Sequence, residues 1–254
     1  MPHSSRPKVI GVIPSRYAAQ RFPGKPLALI AGKPLVQWVY EGCRSAQLLD
    51  DVIVATDDRR IQAGVESFGG KVVMTAADHP SGTDRVAEVA EKLSCDVVIN
   101  IQGDEPLIRA LMIDSLVRAM LDEPDMSVGT LARKISHADE LDNPNVVKVV
   151  TDLRQRALYF SRFPIPCVRD GKASDATHWA HLGIYAYRRE ALLKLVTLPV
   201  SALEKAEKLE QLRALENGFA IKVVETTHET ASVDRPEDVA TVEKILSERE
   251  SLHT

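Results

Sequence analysis

Three cations stand in one short stretch of this chain, Pro14-Ser15-Arg16-Tyr17-Ala18-Ala19-Gln20-Arg21-Phe22-Pro23-Gly24-Lys25-Pro26. Arg16, Arg21 and Lys25 follow an apolar run, and the Pro and Gly among them favour irregular backbone. Polyphosphate suits such a loop. It is not a Walker loop, because Lys25 is followed by Pro26 where Ser or Thr is needed and the upstream glycine spacing is wrong. No GxGxxG occurs in the chain, which also weakens a dinucleotide-dependent dehydrogenase. From charge alone, a solvated basic loop remains open beside the phosphate site.

Asp104 and Glu105 end the run Asn100-Ile-Gln-Gly-Asp-Glu-Pro106. Mg²⁺ takes one or two carboxylates plus phosphate oxygens and keeps several waters, so Asp104 is the first candidate ligand. The same pair also describes a turn that caps a following helix. Asp234, in Ala231-Ser-Val-Asp-Arg-Pro-Glu-Asp238, is the candidate partner acid, with a helix N-cap as its alternative. Ser81-Gly-Thr-Asp-Arg85 lies at a loop-to-helix junction, where Ser81, Gly82 and Thr83 let backbone amides approach a nucleotide and Arg85 can reach an anion. Ser and Thr at such a junction are also ordinary caps. Arg162, His181, Glu210 and Gln211 are polar residues among apolar neighbours, and singly they settle nothing.

The elements that must position these residues follow a repeating pattern. Lys8–Ile13 reads as a buried parallel strand, because its apolar residues do not alternate, and Pro14 is expected to stop it. Leu35–Ala46 puts Val36, Val39, Tyr40 and Cys43 on one helical face, and Asp51–Thr56 resumes the strand pattern. Ile61, Val65 and Phe68 form a second stripe before a strand at Lys71–Thr75; a helix at Thr83–Leu93 then leads to a strand at Asp96–Ile101. This order predicts a mostly parallel, doubly wound α/β sheet, Rossmann-like, with ligands beyond the carboxyl ends of its strands. Strand-like runs at 127–132, 146–150 and 181–187 lie too close together for βαβ crossovers and predict an embedded antiparallel portion. Ser201-Ala-Leu-Glu204 is a capping box that opens a helix to about Glu216, a strand follows at Ala220–Glu225, and Pro236 to about Arg249 closes as a helix. No linker forces a boundary, so residues 1–254 read as one domain.

Composition narrows the partners. The 254 residues are 44% apolar and 27% charged, the profile of an ordinary folded protein. A net charge of -4 gives no broad footprint for nucleic acid or anionic membrane. The three cysteines, Cys43, Cys95 and Cys167, are odd in number and far apart, as reduced thiols are. The longest apolar runs fall far short of the ~18 residues of a membrane span, and Met1–Pro7 lacks a signal-peptide pattern, so cytoplasmic residence is expected.

Taken in order, the motifs resemble the 3-deoxy-manno-octulosonate cytidylyltransferase (CMP-Kdo synthetase) family. They run from Ile13-Pro-Ser-Arg-Tyr-Ala and Arg21-Phe-Pro-Gly-Lys-Pro through Ala55-Thr-Asp-Asp, Ser81-Gly-Thr-Asp-Arg and Asn100-Ile-Gln-Gly-Asp-Glu-Pro. Asn143-Pro-Asn-Val-Val-Lys, Ala157-Leu-Tyr-Phe-Ser-Arg162, His181-Leu-Gly-Ile-Tyr185, Leu209-Glu-Gln-Leu-Arg213 and Val233-Asp-Arg-Pro-Glu-Asp238 continue the set. The resemblance implies a nucleotidyltransferase that moves CMP from CTP to the anomeric hydroxyl of Kdo, with Mg²⁺ as cofactor, for lipopolysaccharide biosynthesis.

It further implies that Arg16 and Lys25 hold the triphosphate, with Pro14, Ser15, Arg21 and the Ser81–Arg85 loop at the nucleotide and Asp104 with Asp234 on the metal. Arg16, Lys25 and Asp104 are then the catalytic residues. Gln102, Arg162, His181, Tyr185, Glu210 and Gln211 are the implied sugar contacts. A homodimer is implied as well, with the embedded portion at about 126–200 binding sugar and forming the dimer. Two departures stand out: Ser232 replaces a frequent Gly before Val-Asp, and Cys167 replaces a frequent Trp after Ile-Pro. Ser232 puts the backbone near Asp234 in question, because Ser lacks glycine's freedom at positive φ. A cytidylyltransferase for another acidic sugar, and a non-catalytic nucleotide sensor on the same fold, are the competing readings.

Overall fold

The structure is a computed structural model that describes residues 6–18, 21–172 and 175–251. Ala19 and Gln20 of the cationic loop, and Met1–Ser5 of the N-terminal segment, lie outside the described residues. The chain forms two compact units, one holding the residues up to Asp114 and those from Glu229 onward, the other Ser115–His228.

The first unit begins with β1 (Val9–Ser15), a 3-10 turn (Lys25–Leu27) and a small hairpin of β2 (Leu29–Ile30) and β3 (Lys33–Pro34). There follow α1 (Leu35–Arg44), β4 (Asp51–Thr56), α2 (Arg59–Ser67), β5 (Val72–Met74), α3 (Gly82–Lys92), β6 (Val97–Asn100) and the start of α4 (Ala110–Asp122). β1 pairs in parallel with both β4 and β6, and β4 with β5, so the order is β6-β1-β4-β5. The continuous apolar runs foretell this, because a central parallel strand is covered on both faces: Val9, Ile10, Val12 and Ile13 are all buried. The stripes also hold, with Val36, Val39, Tyr40 and Cys43 of α1 and Ile61 and Val65 of α2 buried. Asp58 caps α2, accepting from the Arg60 amide at 2.8 Å.

Pro14 does not stop β1, contrary to expectation; it pairs with Ala55, and the strand ends at Ser15. The carbonyl of Val12 already accepts from the Ile101 amide, on the β6 side. Residue 14 points the same way, past the end of β6, so the missing N–H of proline breaks no ladder bond.

The second unit comprises β7 (Val128–Lys134), α5 (Ala138–Asp142), β8 (Lys148–Thr151), β9 (Ala157–Ser161), β10 (Trp179–Arg188), α6 (Arg189–Val196), α7 (Ala202–Glu207), α8 (Gln211–Glu216) and β11 (Ile221–Thr226). β10 runs antiparallel to β7 and β8, β8 antiparallel to β9, and β11 parallel to β7. The antiparallel portion expected from crowded strands is present. The single helix expected from Ser201 to Glu216 is two, because Lys208 takes the left-handed conformation at φ 55° and divides α7 from α8. The capping box itself is present, the Glu204 carboxylate accepting from the Ser201 amide. The chain then returns to the first unit and ends in α9 (Asp238–Ser251).

Candidate active site

The carboxyl ends of β1 and β6 and the entrance to α3 surround a cavity of about 310 Å³ in the first unit. β1 delivers Pro14, Ser15 and Arg16; the 3-10 turn delivers Lys25 and Pro26. Pro80, Ser81 and Gly82 come from the segment entering α3, and Gln102, Gly103 and Asp104 from the loop after β6. This is the crevice where open α/β sheets take their ligands.

Two glycines make the approach possible. Gly24 stands at φ 74° directly before the 3-10 turn, a left-handed position, and a Cβ there would lie 3.1 Å from the Tyr17 ring. A Cβ on Gly103 would meet the Pro14 carbonyl at 2.9 Å, so only glycine lets the β6 loop close against the end of β1.

The Lys25 ammonium faces two carboxylates, 2.7 Å from Asp104 Oδ2 and 3.7 Å from Asp234 Oδ1. Arg21 reaches the same Asp234 oxygen at 3.3 Å. Asp234 is not an N-cap: α9 starts at Asp238, whose carboxylate accepts from the Asp234 and Arg235 amides at 2.8 Å each. Asp104 and Glu105 likewise cap nothing, since α4 begins only at Ala110. The Val233 amide donates to the Asp104 carbonyl at 2.9 Å and ties the two acidic segments together. Ser232 has no positive φ, so the departure from glycine does not strain this backbone.

Behind Asp104, burial pushes the Glu105 carboxyl up to about 7, reinforced by the charges of Asp104 and Asp234. A buried Glu105 Oε2 has no hydrogen-bond partner. The carboxylates of Asp104 and Asp234 face the same ammonium, and their hard oxygens are of the kind a divalent cation takes. Among the described residues no group of three or more His, Cys, Asp and Glu is arranged to hold a metal by itself.

The Arg16 guanidinium donates to the His79 and Ser81 carbonyls at 2.6 and 2.8 Å, lacing β1 to the loop before α3. His79 lies 2.5 Å from Glu88, which also accepts from Lys92 and the Ala76 amide. Burial opposes ionisation of Glu88, but these bonds from Lys92, His79 and Ala76 prevail and hold its pKa at about 2. Ser81 satisfies both readings of its position, lining the cavity while its Oγ accepts from the Asp84 amide at 3.2 Å as the α3 cap. Thr83 and Arg85 are not on the wall. Thr83 accepts from Asn100 Nδ2 at 3.3 Å; Arg85 is fully buried, donating to Thr75 Oγ1 and lying 3.3 Å from Asp57.

The remaining candidates belong to the second unit. His181 packs edge-on against Phe160, with 5.0 Å between ring centroids, and its Nε2 lies 3.0 Å from Thr130 Oγ1. Desolvation pushes its pKa down to about 3, so it is neutral at physiological pH. Tyr185, adjacent to His181 at 5.3 Å, is pushed well up by burial, then by Tyr187 and the charge of Glu210. Gln211 is buried with its Nε2 lacking a partner. Arg162 spends its guanidinium on three main-chain carbonyls, Glu207 at 2.7 Å, Pro144 at 2.8 Å and Lys208 at 3.3 Å. Sequence reasoning missed Glu207, whose only sequence signal is its place three residues before Glu210. Cys167 is an exposed free thiol.

A cation-rich loop opposite paired carboxylates, at the carboxyl edge of a parallel sheet, is an arrangement suited to a nucleotidyltransferase. Comparison with known proteins narrows the class, since the family model described as cytidylyltransferase matches residues 10–230. The 3-deoxy-manno-octulosonate cytidylyltransferase of Solibacter usitatus (strain Ellin6076) is 52% identical over 239 residues, 94% of each chain. That of Geobacter sulfurreducens (strain ATCC 51573 / DSM 12127 / PCA) is 50% identical, covering 94% of this chain and 98% of its own. A solved structure of CMP:2-keto-3-deoxy-manno-octonic acid synthetase complexed with CTP matches with a TM-score of 0.91 at 46% identity, over 95% of this chain and 99% of that one. The chain belongs to the 3-deoxy-manno-octulosonate cytidylyltransferase family. Among the described residues no helix is long and apolar enough to cross a membrane.

Proposed function

We propose that this chain transfers CMP from CTP to the anomeric hydroxyl of Kdo and releases pyrophosphate, with Mg²⁺ as its cofactor. The observation that carries the reading is Lys25 set between Asp104 and Asp234 beside Arg16, in a member of this family. Arg16 and Lys25 hold the triphosphate, with Arg21 at the rim, and Pro14, Ser15, Ser81 and Gly82 shape the nucleotide cavity. Thr83 and Arg85 act from beneath, fixing the strand ends under that loop. Asp104 and Asp234 would hold Mg²⁺, which when bound supplies positive charge at the phosphates and lowers the pKa of a coordinated hydroxyl.

The sugar hydroxyl attacks the α-phosphorus in line, and the chain contributes chiefly position and electrostatic stabilisation. By the family resemblance, Gln102, Arg162, His181, Tyr185, Glu210 and Gln211 are the sugar contacts. A neutral His181 and an un-ionised Tyr185 offer hydrogen bonds without adding charge beside an anionic sugar. The chain works as a cytoplasmic homodimer of one nucleotidyltransferase domain, its portion at about 126–200 serving sugar and dimer. Exposed Leu153, Leu158 and Phe163 on that portion support the dimer.

Incubation of the purified protein with CTP, Kdo and Mg²⁺ is expected to yield CMP-Kdo and pyrophosphate. A folded sample that turns over neither Kdo nor its amino-substituted analogue overturns the proposal. A panel including sialic acid, ranked by kcat/KM, separates Kdo from other acidic sugars.

A further inference from the structure

We propose that Glu207 is a positioning residue for the sugar substrate: it locks the corner between α7 and α8 and thereby orients Glu210 and Gln211. The proposal rests on the reading of those two residues as sugar contacts.

Glu204, Glu207, Glu210 and Arg213 recur at three-residue intervals, which in one straight helix would bring them onto neighbouring turns of one face. The left-handed Lys208 prevents this and sends each to a separate task. Glu204 takes Arg213 in a two-pronged ion pair at 2.7 and 2.8 Å, which binds α7 to α8. Glu207 turns instead to the end of β9. Its carboxylate accepts from Ser161 Oγ at 2.9 Å, the Arg162 amide at 3.0 Å and Tyr159 OH at 3.4 Å.

Arg162 returns the contact. Its side chain donates to the carbonyls of Glu207 and Lys208, the groups left without helical partners by the break. Glu207 and Arg162 are therefore joined side chain to main chain in both directions. The third donor of Arg162 holds the Pro144 carbonyl, and the buried Lys148 ammonium holds those of Asn143 and Val146 in the same loop. Lys148 is also the register partner of Ser161. One carboxylate thus stands where β9, the 143–146 loop and the α7–α8 corner meet. Three residues beyond it, Glu210 acts on Tyr185 through its charge, and Gln211 keeps a buried, unpartnered Nε2. With the carboxylate gone, the corner keeps only the Arg162 bonds to the two carbonyls and the Glu204–Arg213 pair, so Lys208 leaves the left-handed conformation more readily and Glu210 and Gln211 shift with it.

The test compares wild type with Glu207→Gln, Ser161→Ala and Gln211→Ala, using amide hydrogen exchange without substrate and KM for Kdo and CTP separately. Glu207→Gln is expected to speed exchange at residues 208–212 and to raise the Kdo KM about tenfold, the scale of a lost charge-assisted hydrogen bond, with the CTP KM within about twofold. Ser161→Ala moves both readouts the same way by less, and decides the matter if Glu207→Gln does not fold. Unchanged exchange overturns the lock. Faster exchange with an unmoved Kdo KM, while Gln211→Ala raises it, overturns the positioning role and leaves the sugar reading intact. If Gln211→Ala and Glu207→Gln both leave the Kdo KM unmoved, the sugar reading falls and this proposal with it. An equal rise in both KM values marks general loosening and also overturns it.

Discussion

Asp104 owes its setting to neighbours distant in sequence: Lys25 lies 79 residues before it, yet their charged groups stand 2.7 Å apart. Asp104→Asn keeps the volume and removes the charge. Turnover with CTP, Kdo and Mg²⁺ should fall by at least ~100-fold, the scale for removing one focused electrostatic contact, while the thermal midpoint stays nearly constant. Wild-type turnover in that variant would exclude a metal role for Asp104. His181 gives a pH prediction. Desolvation lowers its pKa to about 3, against 6.5 for the free side chain, so the unfolded chain takes up its proton first. The stability contributed by the neutral ring is therefore present above about pH 6.5 and is lost as pH falls toward 3. The ring resonances of His181 should show no titration between about pH 5 and 8 by NMR; a midpoint near 6.5 would refute its burial in the neutral form. Sequence showed that Asp104, Asp234 and Arg16 were chemically capable, and left caps and solvated loops open beside them. The start of α9 at Asp238, whose own carboxylate accepts from the Asp234 and Arg235 amides, decides against the cap at Asp234.

Among the elements, the first unit was the more legible, because a strand buried on both faces and an amphipathic helix each write their surroundings into a short run of residues. Val36, Val39, Tyr40 and Cys43 sit inward as their spacing requires. β9 escaped detection, since Ala157-Leu-Tyr-Phe-Ser161 becomes a strand by pairing with β8 and its burial does not alternate cleanly. The break at Lys208 escaped as well. Lysine has no preference for left-handed backbone, and the carbonyls that the break frees are satisfied by Arg162, which lies 46 residues earlier than Lys208. The Glu204–Arg213 pair joins the two resulting helices with side chains 11% and 10% exposed. Glu204→Ala removes the carboxylate that Arg213 grips from Nε and Nη2, and urea unfolding should show a loss of about 3 kcal/mol. A loss below about 0.5 kcal/mol, the size of an exposed pair, would show that the pair is not what joins them.

For the whole molecule, a net charge of -4 argued against a nucleic-acid surface and said nothing of local fields. The cavity wall nevertheless carries Arg16 and Lys25, a local concentration of positive charge that the overall balance conceals. Leu158 and Phe163, 62% and 79% exposed, are large apolar side chains of the kind a second copy would cover. Light scattering should accordingly give twice the monomer mass at working concentrations, and Phe163→Asp should shift the population to monomer. A wild-type monomer would remove the homodimer. The α/β class, the parallel strands, the cationic loop and the family resemblance were determined by the sequence alone, because the first three depend on spacings within a few tens of positions and the last on short motifs read in order along the chain. The lodging of Lys25 between Asp104 and Asp234, the burial of Arg85 beneath the loop and the division of α7 from α8 were decided only by the tertiary structure. Each depends on groups that meet after the strands have paired, and no local spacing specifies which distant carboxylate, carbonyl or hydroxyl a buried cation will find.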